Sequence, residues 1–273
     1  MKVAVIGFVA VLLSAGPVLR GQTQPPPTPA PPAQATEAPA AAENVTSLEA
    51  HLAKQKKTLN DWANLSRYRE ANAGLEAPAA SEDRVVFMGD SITDGWGRTH
   101  GKFFPGKPYV NRGISGQTTP QMLVRFRPDV INLKPKAVVI LAGTNDLSSN
   151  TGPETLEEIE GNIESMAQLA EVNGIKVILA SLTPVCDYIK PQTGRRPPQQ
   201  IVALNEWIQS YCGAHNCTYL DYYSAMLDDN KMLKKELTFD GLHPNDAGYE
   251  VMGPLASAAI DKALGTTASA AKQ

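Results

Sequence analysis

The sequence predicts an α/β fold in three layers, with a parallel sheet of five strands and helices on both of its faces. Two observations carry this. From Arg84 onward, short Val-, Ile- and Leu-rich runs alternate with segments of helical periodicity, the pattern of a parallel sheet covered on both sides. Residues able to do chemistry also collect at the ends of those runs, beginning with Gly89-Asp90-Ser91. The C-terminal ends of the strands are where an open α/β sheet holds its site.

The chain ahead of that domain divides into three pieces. Lys2 gives a positive start and Val3–Leu13 is an apolar run of signal-peptide length, too short to span a bilayer. Cleavage near Gly21 would make residues 1–21 a signal peptide and place the mature protein outside the cell or in the periplasm, with no stable membrane insertion. Residues 22–45 are almost all Pro, Ala, Thr and Gln, a composition that buries little apolar surface and is expected to be a disordered linker. An N-terminal helical extension is expected over 46–83. Thr46 and Glu49 have capping-box spacing, Leu48, Leu52 and Leu59 form a stripe, and Trp62, Leu65 and Tyr68 recur at helical spacing. These aromatics are expected to pack across the main domain, although a tryptophan near a site rim has a second use in stacking on ligands.

The main domain is assigned to 84–264. Its strands are expected at Val85–Met88, Tyr109–Arg112, Ala137–Leu141, Lys176–Leu182 and Thr218–Tyr222, most of them short and rich in Val, Ile and Leu as doubly covered strands should be. A helix is expected over Glu154–Asn173, opened by Pro153, striped by Leu156, Ile159, Ile163, Met166 and Leu169, and closed by Gly174. Others are expected over Pro198–Tyr211 and from Asn245 to Leu264, the last kinked at Pro254. Two loops, Thr93–Pro108 and Val185–Pro197, follow strand ends and should overhang the crevice. Residues 265–273 have no pattern and are expected to be a disordered tail.

Composition narrows the function. The 273 residues carry a net charge of -3 and no basic stripe, so neither nucleic acid nor an anionic membrane surface is an implied partner. Three cysteines make no disulfide scaffold, but Cys212 and Cys217 flank a short turn and suit one local bridge, leaving Cys186 over.

Four segments at strand ends each offer a component of an acyl-transfer site. Ser91 offers a hydroxyl where a strand turns into a helix. Gly113, in Asn111-Arg-Gly-Ile-Ser-Gly116, offers an N–H that nothing on its own residue would shield. Asn145, in Ala142-Gly-Thr-Asn-Asp146, offers an uncharged side-chain donor for an oxyanion. Asp240-Gly-Leu-His-Pro244 puts a carboxylate and an imidazole on one loop. A serine hydroxyl is a weak nucleophile until a base takes its proton, and the base needs a third group to fix its tautomer. Ser91, His243 and Asp240 fill these roles as catalytic residues, and Ser91, Gly113 and Asn145 are the oxyanion-hole residues. Such a site requires no cofactor and no metal. Taken singly, each residue has a plainer use: Asp90 or Ser91 as a helix cap, His243 as a surface histidine, Asp240 as a turn residue beside Gly241.

Gly-Asp-Ser at 89–91, Gly113, Gly-Thr-Asn-Asp at 143–146 and Asp-Gly-Leu-His-Pro at 240–244 resemble, in order, the blocks of the SGNH (GDSL-type) hydrolase family. Ile92 stands where the family name has Leu. The resemblance covers about 84–264 and implies a flavodoxin-like strand order, a Ser91–His243–Asp240 triad, and an oxyanion hole from Ser91 N–H, Gly113 N–H and the Asn145 amide. The surrounding residues look most like the bacterial branch similar to platelet-activating-factor acetylhydrolase and secreted carbohydrate acetylesterases. That likeness implies short acyl groups and a small-molecule or carbohydrate ester as substrate. A lysophospholipase or thioesterase of the same fold is the alternative within the family. The G-x-S-x-G elbow of the other large serine-esterase fold is absent around Ser91.

Two rival readings use the same residues. A metal-dependent hydrolase would draw ligands from Asp90, Asp94, Asp146, Asp240 and His243, although no helix carries His-Glu-x-x-His. A glycan-binding module without catalysis would use Trp96, Phe103 and Tyr188.

Overall fold

The computed structural model describes residues 47–53, 55–56 and 59–266. The signal peptide and linker expected over 1–45, and the tail beyond 266, lie outside the described residues. Helical backbone occupies 47–53, 55–56 and 59–60, with Leu52 and Leu59 exposed.

Five strands form one parallel sheet: β1 (Val85–Gly89), β2 (Tyr109–Gly113), β3 (Ala137–Leu141), β4 (Lys176–Ala180) and β5 (Cys217–Leu220). Their order is β2-β1-β3-β4-β5, so the winding reverses at β1. A crevice opens at such a switch point, beyond the carboxyl ends of the strands. The register pairs Gly89 with both Gly113 and Leu141, which brings the segments after β1, β2 and β3 out side by side.

The strands alternate their two faces with period two, and different helices cover each. Val86, Met88, Val138, Ile140, Val177 and Leu179 pack against α3 (Thr119–Asp129), α5 (Leu156–Val172) and α6 (Pro198–Ala214). Val85, Phe87, Val139, Leu141 and Ile178 pack against α2 (Ser91–Gly95) and the long α8 (Asp246–Leu264). Short helices α1 (Arg69–Ala73), α4 (Thr144–Leu147) and α7 (Tyr223–Met226) complete the described elements.

Several expectations are corrected. Residues 61–68 form turns, because both Asp61 carboxylate oxygens accept backbone N–H groups, from Leu65 at 2.7 Å and Ser66 at 2.9 Å, and Asn64 takes a left-handed φ of 53°. Trp62 and Leu65 are therefore exposed, at 41% and 38%, while the Tyr68 hydroxyl reaches inward to donate to Gly113 O. α3 was not expected. Its start is a capping box between Thr118 and Gln121, and Pro120 falls in the first turn, where the missing N–H costs no helical bond. α5 begins at Leu156, with Thr155 as N-cap accepting from Glu158 N at 3.2 Å, so Pro153 lies outside it. α8 is assigned as one continuous helix through Pro254.

Trp96 does not overhang the crevice. It is only 4% exposed, stacks on Tyr249 at 5.1 Å, and closes an aromatic cluster with Phe87, Phe103 and Phe104. Cys212 and Cys217 are disulfide-bonded between the end of α6 and the start of β5, and Cys186 is free and buried.

Candidate active site

The loop before α8 is built to hold an imidazole. Asp240 Oδ1 accepts the N–H groups of Leu242 at 3.0 Å and His243 at 2.8 Å, while Oδ2 lies 2.8 Å from His243 Nδ1. Thr238 locks the loop from behind, its hydroxyl donating to His243 O at 2.7 Å and accepting from Gly241 N at 3.0 Å. Gly241 is demanded here: its φ is +89°, and a Cβ would sit 2.4 Å from Cys186 O. Burial pushes the Asp240 carboxyl up, but the backbone and ring bonds of His243, joined by Leu242 N–H, outweigh it and hold the group below the usual carboxylate range.

The other ring nitrogen meets the serine. His243 Nε2 lies 2.9 Å from Ser91 Oγ, so Ser91, His243 and Asp240 stand in one hydrogen-bonded line from three residues that are each only part-buried. Asp90, the preceding residue, caps α2 by accepting Ile92 N at 2.9 Å. Complete burial pushes its carboxyl up to about 6, against the pull of that bond and of His243.

Asn145 is buried at the start of α4. Its orientation is fixed by chemistry: Arg196 can only donate, and Arg196 Nη2 lies 3.3 Å from Asn145 Oδ1, which also accepts from Asn150 Nδ2 at 3.1 Å. The Nδ2 group consequently points the other way, donating to Gln117 O at 3.0 Å and, more weakly, to Asp90 Oδ2 at 3.3 Å, beside Ser91 in sequence.

Gln192 was not singled out from sequence, and Arg196 stood out there only as part of the charged content of the loop Val185–Pro197, with no role of its own. Arg196 is 5% exposed and donates to Thr144 O at 3.1 Å and to Gln192 Oε1 at 3.1 Å; Gln192 in turn donates to Asp240 O at 3.2 Å. One buried guanidinium thus ties the Asn145 turn to the Asp240 loop. The loop 185–197 braces the site rather than overhanging it.

Gly113 is not where the sequence puts it. Its N–H already donates to Asn111 Oδ1 at 2.9 Å, and a Cβ on it would come within 2.1 Å of Asp94 N. The missing side chain lets β2 pack on the α2 backbone. Gly116, three residues on, is exposed with φ +82°, and among the described residues its N–H has no acceptor. Gly116 O accepts from Asn150 Nδ2 at 3.1 Å, the same amide that serves Asn145.

The five groups of the metal reading do not converge. Asp94 pairs with Arg98 at 2.7 Å, Asp146 accepts from Thr119, and among the described residues no three His, Cys, Asp or Glu are placed to hold an ion.

The family model of GDSL-like lipases and acylhydrolases matches residues 87–251. The chain belongs to this family. An acetylxylan esterase of Xylanibacter ruminicola is 29% identical over 67% of this chain, and the chain spans only 44% of that protein's length. The platelet-activating factor acetylhydrolase IB subunit alpha2 of Homo sapiens is 29% identical over 62% of this chain and 72% of its own. Among solved structures, a GDSL-like lipase from Bacteroides thetaiotaomicron is 48% identical with a TM-score of 0.69, covering 74% of this chain and 98% of that one. The protein is an ester hydrolase with the α/β architecture of this family.

Two more features of this GDSL-family site escaped the sequence. Phe239, 48% exposed, stacks on the His243 ring at 5.7 Å and on His100 at 5.0 Å, forming an apolar lip beside the base. Asp146 Oδ2 and Glu154 Oε2 are buried without a donor, and burial together with the Asp146 charge pushes the Glu154 carboxyl up to about 7. One proton shared by the two carboxyls satisfies both. Among the described residues no helix is long and apolar enough to cross a membrane.

Proposed function

We propose that the protein is an exported serine esterase that removes short acyl groups, acetyl above all, from a carbohydrate ester. The observation that carries the mechanism is the line from Ser91 Oγ to His243 Nε2 at 2.9 Å and from His243 Nδ1 to Asp240 Oδ2 at 2.8 Å. Ser91 Oγ attacks the ester carbonyl carbon as its proton passes to His243 Nε2. The tetrahedral intermediate then expels the alcohol, which takes that proton, and leaves the acyl group on Ser91. Water, deprotonated by His243, attacks the acyl-enzyme in the same way, releasing the acid and restoring the hydroxyl. Asp240, held ionised, stabilises the imidazolium formed in each half.

The oxyanion is received by Ser91 N–H, by Gly116 N–H in place of Gly113, and by the Asn145 amide. Asn145 keeps its bond to Gln117 O and exchanges the 3.3 Å contact with Asp90 for the charged oxygen. The acetyl preference is supported by the acetylxylan esterase and acetylhydrolase relatives, and export by the apolar run Val3–Leu13.

The test is hydrolysis across p-nitrophenyl esters of increasing chain length and a panel of acetylated oligosaccharides, for the wild type and Ser91→Ala. The acetate should be preferred and the variant inactive though folded. Substantial turnover by Ser91→Ala overturns the mechanism, and faster cleavage of a long-chain ester overturns the acyl preference.

A further inference from the structure

Residues 61–64, expected from sequence to be a packing helix, instead form one wall of a cavity of about 710 Å³. Trp62 and Asn64 line it from that segment, together with Ser115–Gln117, Asn150 and Thr151. The volume is within the roughly 300–1,000 Å³ typical of small-ligand sites and leaves room for more than one sugar ring.

The tryptophan is presented on a rigid support. Gln121 Nε2 donates to Trp62 O at 2.6 Å, Gln117 Nε2 donates to Ala63 O at 2.8 Å, and Asp61 caps the turn that follows. With its backbone held this way and Ala63 buried beside it, the indole remains 41% exposed. A large aromatic ring held half exposed beside a cavity on an immobilised turn presents a flat apolar face at little entropic cost on binding.

The Ser115–Gln117 segment leads to the reacting centre. Ile114 N donates to Gly89 O at 3.0 Å, Gln117 O accepts from Asn145 Nδ2, and Asn150 joins Gly116 O to Asn145 Oδ1. The cavity is therefore one residue removed from the amide that receives the oxyanion, where the alcohol half of an ester must lie.

We propose that this cavity is the subsite for the alcohol half of the ester and that the alcohol is a carbohydrate, its ring stacked on Trp62 and its hydroxyls paired with the amides and hydroxyls around it. The inference rests on the reading of Ser91 as an esterase nucleophile. The lining chemistry selects the ligand. Gln117, Gln121 and Asn150 already spend their amides on the frame, whereas the Asn64 carboxamide can both donate and accept and the exposed Ser115 hydroxyl, which donates to Asp94, can still accept, a neutral pair that suits vicinal hydroxyls. No Lys or Arg is among the lining residues to pair with a phosphodiester. The one carboxylate, Asp61, accepts a backbone N–H on each oxygen and serves the turn. Asn64 is half-buried and, among the described residues, its carboxamide has no hydrogen-bond partner.

The test is calorimetric titration of the full chain with xylotriose, cellotriose, mannotriose and glycerophosphocholine, none of which carries an acyl group to lose. At least one trisaccharide should bind, with a dissociation constant on the order of 1 mM. Trp62→Ala should weaken that binding by about tenfold or more and Trp62→Phe by less. The kcat/KM ratio of the acetylated trisaccharide to p-nitrophenyl acetate should fall to a similar extent in Trp62→Ala. Binding of glycerophosphocholine alone, binding of no trisaccharide, or an unchanged ratio in Trp62→Ala overturns the proposal. Turnover by Ser91→Ala would instead overturn the catalytic reading and leave the binding result standing, so the two failures are distinguishable.

Discussion

Replacing Asn145 by Ala removes the proposed oxyanion donor and one buried acceptor at once, and the two effects are separable. As the carbonyl carbon becomes tetrahedral, charge collects on its oxygen, and a preorganised amide stabilises that charge far more than the neutral ester. Losing one such donor costs about 10²–10³ in kcat, or about 3–4 kcal/mol of barrier, with little change in KM. The same substitution strands Arg196 Nη2, which donates to Asn145 Oδ1 at 3.3 Å beneath the surface. An unpaired buried donor costs about 1–3 kcal/mol of stability. For a domain of this size each kcal/mol lowers Tm by roughly 2–4 °C, so the variant stays folded at ordinary assay temperatures. The assay is kcat and KM on p-nitrophenyl acetate beside a thermal melt in the same buffer. Asn145→Asp is the control: it keeps an acceptor for Arg196 and Asn150 but sets a carboxyl oxygen against Gln117 O and Asp90 Oδ2 in place of the donor, so it should be just as slow and gain no stability over the Ala variant. A near-normal kcat in either variant, or activity that tracks only the unfolded fraction, refutes the side-chain donor.

Other substitutions probe the frame. Arg196→Met should lower kcat while leaving KM nearly unchanged, because Arg196 positions both the Asn145 turn and, through Gln192, the Asp240 loop; a pure KM effect would contradict this. Arg125 is wholly buried, donating to Gly89 O at 3.0 Å, Arg112 O at 2.8 Å and Asp129 at 3.1 Å. Arg125→Ala leaves the Asp129 charge uncompensated and should cost about 3–5 kcal/mol in urea denaturation, with a loss below about 1 kcal/mol as the contrary result. The pH dependence of stability has a definite sign. Glu154 is raised from 4.5 to about 7, so the folded state holds its proton more tightly than the unfolded chain. Its contribution is fully present below pH 4.5 and is lost as pH rises through about 7. Glu154→Gln should flatten the decline in Tm across that window, and an unchanged decline would show that the pair does not share a proton.

The parts of the fold legible in the sequence were those set by periodicity and strand-end chemistry. All five strands lie within two residues of expectation at each end; β1, β3 and β4 stand out as the near-continuous apolar runs of central, doubly covered strands, while the edge strands β2 and β5 are only half buried. Ser91, His243 and Asp240 could be picked out as candidates because they fall in two short glycine-bearing segments at turns, Gly89-Asp-Ser91 and Asp240-Gly-Leu-His243. α3 was hidden by Pro120 and Pro128, which look like breakers unless the Thr118–Gln121 capping box is noticed. Trp62, Leu65 and Tyr68 have helical spacing, yet Asp61 diverts the backbone into turns by taking two N–H groups. Gly113 and Gly116 stand in one short motif, and only the committed N–H of the first and the free N–H of the second tell them apart. Arg196 and Gln192 act through contacts with residues 48 to 52 positions away, which no local pattern encodes.

The nucleophile is the claim on which the rest stands, and covalent labelling tests it most directly. A fluorophosphonate carries a leaving group and a phosphoryl centre that only an activated hydroxyl attacks, and the adduct is too stable to turn over. Incubation with the full chain, followed by peptide mass spectrometry and residual activity on p-nitrophenyl acetate, should show one label per chain, on the peptide containing Ser91, with activity falling in step. His243→Ala should take up the label far more slowly, since no base then accepts the Ser91 proton. Labelling at another residue, or full activity with Ser91 fully modified, would contradict the account.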